Sequence, residues 1–95
     1  MLANRARGDV LLTIDGRPVM LRLTLGALAE LETAFDCASL ADLSARLQAA
    51  RPSDLLTVLA ALVRGGGGEG DVGALARADI DPAEAARAIV GAFER

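Results

Sequence analysis

Only one stretch of this chain repeats with a period of two, and the rest has to be arranged to cover it. In residues 8–24, GDVLLTIDGRPVMLRLT, Val10, Leu12 and Ile14 fall on one face of a first run, and Val19, Leu21 and Leu23 on one face of a second. A half-buried antiparallel pair requires that alternation, because successive side chains of a strand point to opposite faces. The link Asp15-Gly16-Arg17-Pro18 is turn chemistry. Gly16 reaches positive φ without steric penalty, and Pro18, with no N–H for a ladder, belongs at a strand start. With Gly16 and Arg17 as the loop, Ile14 is expected opposite Val19, Leu12 opposite Leu21 and Val10 opposite Leu23. The other face, Leu11, Thr13, Met20, Arg22 and Thr24, is mixed. An isolated hairpin is marginal in water, so a helix or a partner must cover it.

Helical patterns follow directly. Thr24 reads as an N-cap, with Leu25, Leu28, Leu31 and Phe35 at helical spacing, and this first helix is expected to lie across the hairpin. Ser39, with Asp42 three residues on, opens a second helix carrying Leu40, Leu43 and Leu47. Pro52-Ser53-Asp54 opens a third, whose Leu55, Leu56, Leu59, Leu62 and Val63 make the broadest apolar surface, as for a central helix or one left for a partner. It is expected to stop at Gly65 in a left-handed cap, and the glycine run after it reads as a mobile tether. Asp71 caps a short piece over 72–78. Asp81-Pro82-Ala83-Glu84 starts a last helix running to about Phe93, with Ala86, Ile89, Val90 and Phe93 on one face.

The fold class is therefore α+β: an N-terminal two-stranded antiparallel hairpin followed by a bundle of four to five α-helices. One domain spans 1–95, with an arm at 1–7, the hairpin at 8–24, helices at 25–64, a Gly-rich linker at 65–71 and C-terminal helices at 72–94. With 53% hydrophobic residues among 95, there is material for a single core.

Composition excludes more chemistry than it offers. The chain has no His, Lys or Tyr, and its one cysteine, Cys37, has no His partner, so the usual bases and nucleophile pairs are missing and no catalytic residue is assigned. Cys37 cannot form an internal disulfide and fits a reducing compartment. The segment Gly68-Glu69-Gly70-Asp71-Val72-Gly73 is formally GxGxxG, but it follows a helix and its two acids would repel phosphate, so it reads as a linker. Asp79, Asp81 and Glu84 lack the spacing of a Ca²⁺ loop and serve better as helix caps. Glu30 and Glu32 stand two apart on a helix and do not face each other. No cofactor and no metal are expected. The net charge of -3 argues against nucleic acid, although residues 1–24 carry four Arg against two acids. No apolar leader is visible, and the run at 55–63 is far short of the roughly 20 residues of a membrane span, so a cytoplasmic protein with no membrane partner is expected.

A short arm, then RGDVLLTIDGRPVMLRLTLGALAELETAF, then SLADLSARL, then DLLTVLAALVRGGG, resembles the small tail proteins of gene transfer agents and related tailed phages. The likeness covers residues 4–67, including the DG turn, the T-L-G-x-L-x-x-L-E segment and the helix ending in glycines. Beyond Gly68 it rests on a final amphipathic helix. The family is described both as a tail tube protein and as a tail assembly chaperone. The resemblance implies a non-enzymatic role in tail morphogenesis, with the tape-measure or tail tube protein as partner and self-association as a further option.

A chaperone of this kind coats the tape-measure helix until tube subunits polymerise around it, which takes exposed apolar surface and no active site. Tube subunits are β-rich, whereas here only the hairpin reads as strand. The expectation is thus a tail assembly chaperone in the cytoplasm, with a structural tail tube or tail-terminating subunit of the particle as the alternative. A regulatory or nucleic-acid-binding module is the second alternative, and it would set Arg5, Arg7, Arg17 and Arg22 on one face. The partner-binding surface is expected on the outer hairpin face, Leu11 and Met20, together with Leu56 and Val63 of the third helix.

Overall fold

The structure, a computed structural model, describes residues 9–93. Two antiparallel strands, β1 (Val10–Ile14) and β2 (Arg17–Leu21), precede five helices: α1 (Leu25–Phe35), α2 (Leu40–Gln48), α3 (Pro52–Gly65), α4 (Val72–Arg77) and α5 (Pro82–Phe93). The architecture is α+β, as the sequence patterns require.

The hairpin register differs by two residues from the expected one. Ile14 pairs with Arg17, Leu12 with Val19 and Val10 with Leu21, so the loop is Asp15-Gly16 and not Gly16-Arg17. Both loop residues have positive φ, 53° at Asp15 and 79° at Gly16. That is the two-residue turn whose twist matches the twist of the strands, and aspartate tolerates its first position. A slip of two residues keeps every side chain on its own face. Leu12, Ile14 and Leu21 are accordingly buried, while Leu11 and Thr13 face outward. Leu23 lies beyond the paired segment.

The hairpin is covered by α3 on the β2 side and α5 on the β1 side, and α1 packs instead on α3 and α2. The reason lies where β2 leaves the sheet. The Arg22 N–H donates to the Leu62 carbonyl at 3.0 Å, and Gly65 and Gly66 lie against the carbonyls of Arg22 and Met20 so closely that a Cβ at either position would strike them. Backbone thus packs on backbone, and the space that α1 was expected to fill is taken by the end of α3.

α3 is the central element. Its residues from Val58 to Val63 are all buried, on every side of the helix, because α1, β2, α4 and α5 surround it. At its start the Arg51 N–H donates to Asp54 Oδ2 at 3.1 Å. This bond holds the Asp54 carboxyl below the usual carboxylate range; burial pushes the other way, and the Arg46 guanidinium adds to the lowering. Arg46 also stacks on Phe35, 4.9 Å from the ring centre, so one side chain of α2 touches both α1 and α3.

Caps follow the sequence. Thr24 Oγ1 accepts from the Ala27 N–H at 3.0 Å, Ser39 Oγ from Asp42 at 3.1 Å, and Asp71 Oδ2 from Ala74 at 3.0 Å. Two helix faces differ from expectation. Leu25 is 85% exposed, since it stands about 120° round α1 from the fully buried Leu31. On α5 the buried face is Ala88, Ile89 and Ala92, while Ala86 and Val90 are exposed. The small side chains let α5 lie close to β1, with Gly91 beside Val10.

The glycine run does not stop α3 where expected. Gly65 is still helical, Gly66 has φ -84°, and the left-handed residue is Gly67 at 96°. The expected tether folds back on α3. The Gly68 N–H donates to the Val63 carbonyl at 2.9 Å, Arg64 donates to the Gly70 carbonyl, and Gly70 lies against the Ala60 backbone. At the far end of the hairpin, the Asp15 N–H donates to the Asp79 carbonyl at 3.0 Å and the Asp79 N–H to Asp15 Oδ1 at 2.7 Å, tying the turn to the segment before α5.

Candidate interaction surface

The outer face of the hairpin is built by the register. Leu11 stands directly across from Met20, and Thr13 from Pro18. Leu11 is 62% exposed, and Met20 is half-buried because its side chain lies over Gly66. Two of the four residues expected to bind a partner therefore share one face. The other two are elsewhere. Leu56 is half-buried and lines an apolar groove of about 240 Å³ between α3 and the α4–α5 segment, together with Leu55, Leu59, Leu75, Ile80 and Ile89. Val63 is buried at 4% exposure with Gly68 folded over it, so it offers nothing to a partner.

A second cleft, of about 350 Å³, runs along the outer edge of β1. Its walls are the strand from Val10 to Thr13 and the α5 residues Glu84, Arg87 and Ala88. Glu84 and Arg87 are exposed, one turn apart and of opposite sign. Sequence reasoning assigned Glu84 only to the start of α5 and passed over Arg87, because nothing in a periodicity says which strand edge a helix will flank. Leu25 on α1, Leu40 on α2 and Val90 elsewhere on α5 add exposed apolar side chains.

Among the described residues, the arginines do not assemble a basic face. Arg22 Nε and its terminal nitrogen donate to Asp9 at 2.6 and 2.8 Å, and this hydrogen-bonded carboxylate raises the guanidinium's already high pKa. Arg17 is exposed at the start of β2, while Arg5 and Arg7 lie outside the described residues. Arg64 is tied to Glu30 at 2.6 Å. The GxGxxG segment leaves a helix rather than a strand, and its Asp71 is used as the cap of α4. Among the described residues, no group of three or more potential metal ligands is brought together, and no helix is long and apolar enough to cross a membrane.

Residues 7–95, almost the whole chain, match a family described as "Phage tail tube protein, GTA-gp10". No curated protein and no solved structure matches the chain. The family's description agrees with the tail resemblance seen in the sequence, and it names the tube, the reading placed second there. The role it carries is structural and tail-related.

Proposed function

Because the chain belongs to the phage tail tube protein family GTA-gp10, we propose that it works in tail morphogenesis as a structural subunit, through contacts with tail tube protein or with further copies of itself. The match over residues 7–95 is the observation that carries this reading. An exposed Leu11 on an uncharged strand, facing a half-buried Met20, suits a protein whose work is done by contact. The test is the protein content of purified tails or gene transfer particles. A structural subunit is present there in fixed proportion to the other tail proteins. Its absence from particles whose assembly requires the gene would overturn this reading.

One observation favours a second reading, the tail assembly chaperone that binds the tape-measure protein in the cytoplasm. Among the described residues, strands take up two segments of five residues each, against five helices, which is little sheet for a tube wall. On that reading Leu11 and the Leu56 groove receive apolar side chains of the tape-measure helix. Each would contribute about 1.5 to 3 kcal/mol before the costs of association, consistent with reversible binding. Co-expression separates the two: a chaperone keeps the tape-measure protein soluble, co-purifies with it and is missing from finished particles.

A further inference from the structure

The two edges of the hairpin differ. The outer edge of β2 is occupied by the end of α3, through the Arg22 to Leu62 bond and the glycine contacts. Among the described residues, the outer edge of β1 faces a cleft flanked by α5 and has no backbone partner. In the Asp15-Gly16 turn, Ile14 and Arg17 form a hydrogen-bonded pair, so by alternation Val10 and Leu12 bond to β2 while the N–H and C=O groups of Leu11 and Thr13 point away from it. Neither Leu11 nor Thr13 has a backbone hydrogen bond on that side.

Natural edges are usually blunted by charge, proline or a bulge. β1, with the sequence VLLTI, has none of these. Beside it, across the cleft, stand Glu84 and Arg87, and neither is ion-paired within the described residues.

We infer that two copies of this chain pair antiparallel along β1, joining their hairpins into one four-stranded sheet about a two-fold axis at Leu12. A two-fold contact must be self-complementary, and this edge is. With Leu12 on the axis, Leu11 of one copy meets Thr13 of the other, and each such pair exchanges both its backbone hydrogen bonds. The same rotation sets α5 against α5 in opposite directions, bringing Glu84 of one copy to Arg87 of the other, twice. That charge complementarity selects a second copy as the occupant over an unrelated strand. Leu11 then gains a neighbour on the outer face without leaving Met20. The inference does not rest on the tail reading, since it uses only the edge and its flanking charges.

The test is sedimentation of the full chain from about 1 µM to about 1 mM, the span in which small interfaces associate. A concentration-dependent dimer is expected, with the Leu11 and Thr13 amides gaining protection from hydrogen exchange as it forms. Glu84→Arg or Arg87→Glu alone weakens dimerisation by about tenfold or more, because both symmetry-related ion pairs are lost together. The Glu84→Arg/Arg87→Glu double variant restores it. Circular dichroism of each variant separates lost association from lost folding, and Leu11→Arg offers a second disruption away from α5. A chain monomeric throughout overturns the inference. So does a dimer in which the Leu11 and Thr13 amides exchange freely, or one indifferent to the single charge reversals or not restored by the double variant. Protection of those amides only when a different tail protein is added would likewise overturn it, and would give the edge to that protein.

Discussion

Gly65→Ala is the substitution for which helix propensity and the structure predict opposite signs. Gly65 is the last residue of α3, where alanine is ordinarily favoured over glycine by up to about 1 kcal/mol. Here an added Cβ would run into the Arg22 carbonyl oxygen, with the Arg22 carbonyl carbon at 3.2 Å and Thr24 Oγ1 at 3.5 Å. The obstacle is backbone, so no rotamer change relieves it. The segment leaving β2 must withdraw by roughly 1 Å to restore normal contact. That movement stretches the Arg22 to Leu62 hydrogen bond, now 3.0 Å and worth about 1 kcal/mol, and loosens packing at an overcrowding cost of about 1 to 3 kcal/mol. After the propensity gain is subtracted, a net loss of about 1 to 3 kcal/mol is expected. For a domain of this size that lowers Tm by about 5 to 20 °C. The assay is urea and thermal unfolding followed by circular dichroism, with Gly26→Ala as control. Gly26, in the first turn of α1, has nothing nearer to a new Cβ than Thr24 Oγ1 at 3.7 Å, so it is expected to gain about 0.5 kcal/mol. A Gly65→Ala protein as stable as the parent would refute the close approach of β2 to α3.

Three further outcomes follow from the same contacts. The Asp54 carboxyl is held below its unfolded pKa, so its contribution is complete above about pH 4 and is lost as pH falls through the depressed folded value; acid titration of stability should be steeper for the parent than for Asp54→Asn. Arg46→Gln removes the stacking on Phe35 and the contact with Asp54, and equilibrium unfolding should show a loss of about 1 kcal/mol. Leu21→Ala, at a fully buried strand position, should cost about 2 to 5 kcal/mol, whereas Leu11→Ala on the opposite face should leave the urea midpoint nearly unchanged.

The parts of the fold legible in the sequence are those set by local rules. Alternation gives the faces of both strands, and the caps at Thr24, Ser39 and Asp71 place three helix starts. The hairpin register is not legible from local rules alone, because Pro18 argues for a strand start at 18 while the turn's own preference for Asp-Gly starts β2 at Arg17. A two-residue slip changes partners without changing faces, so it leaves the core intact. What was not legible depends on which elements meet. Leu25 is placed on the apolar stripe by composition and off it by the docking of α1 on α3. α5 buries Ala88 and Ala92 in preference to Val90 because it lies close to a strand, and closeness favours small side chains.

The candidate site divides in the same way. The outward position of Leu11 follows from period two. The burial of Val63 follows from four neighbours around α3, and the pairing of Glu84 and Arg87 with the β1 edge follows from the docking of α5. None of these last facts is written in a single stretch of chain.

The clamp between Asp15 and Asp79 joins residues 64 positions apart. It has a consequence for synthesis. The hairpin leaves the ribosome well before α5, one of its two covers. Until α5 emerges, the β1 side of the apolar face and the Asp15 turn have no native partner, so a nascent chain ending before Asp79 is expected to stay open and sensitive to protease. Protection should arrive in one step as α5 docks, so this small fold cannot close until the residues after Asp79 have emerged.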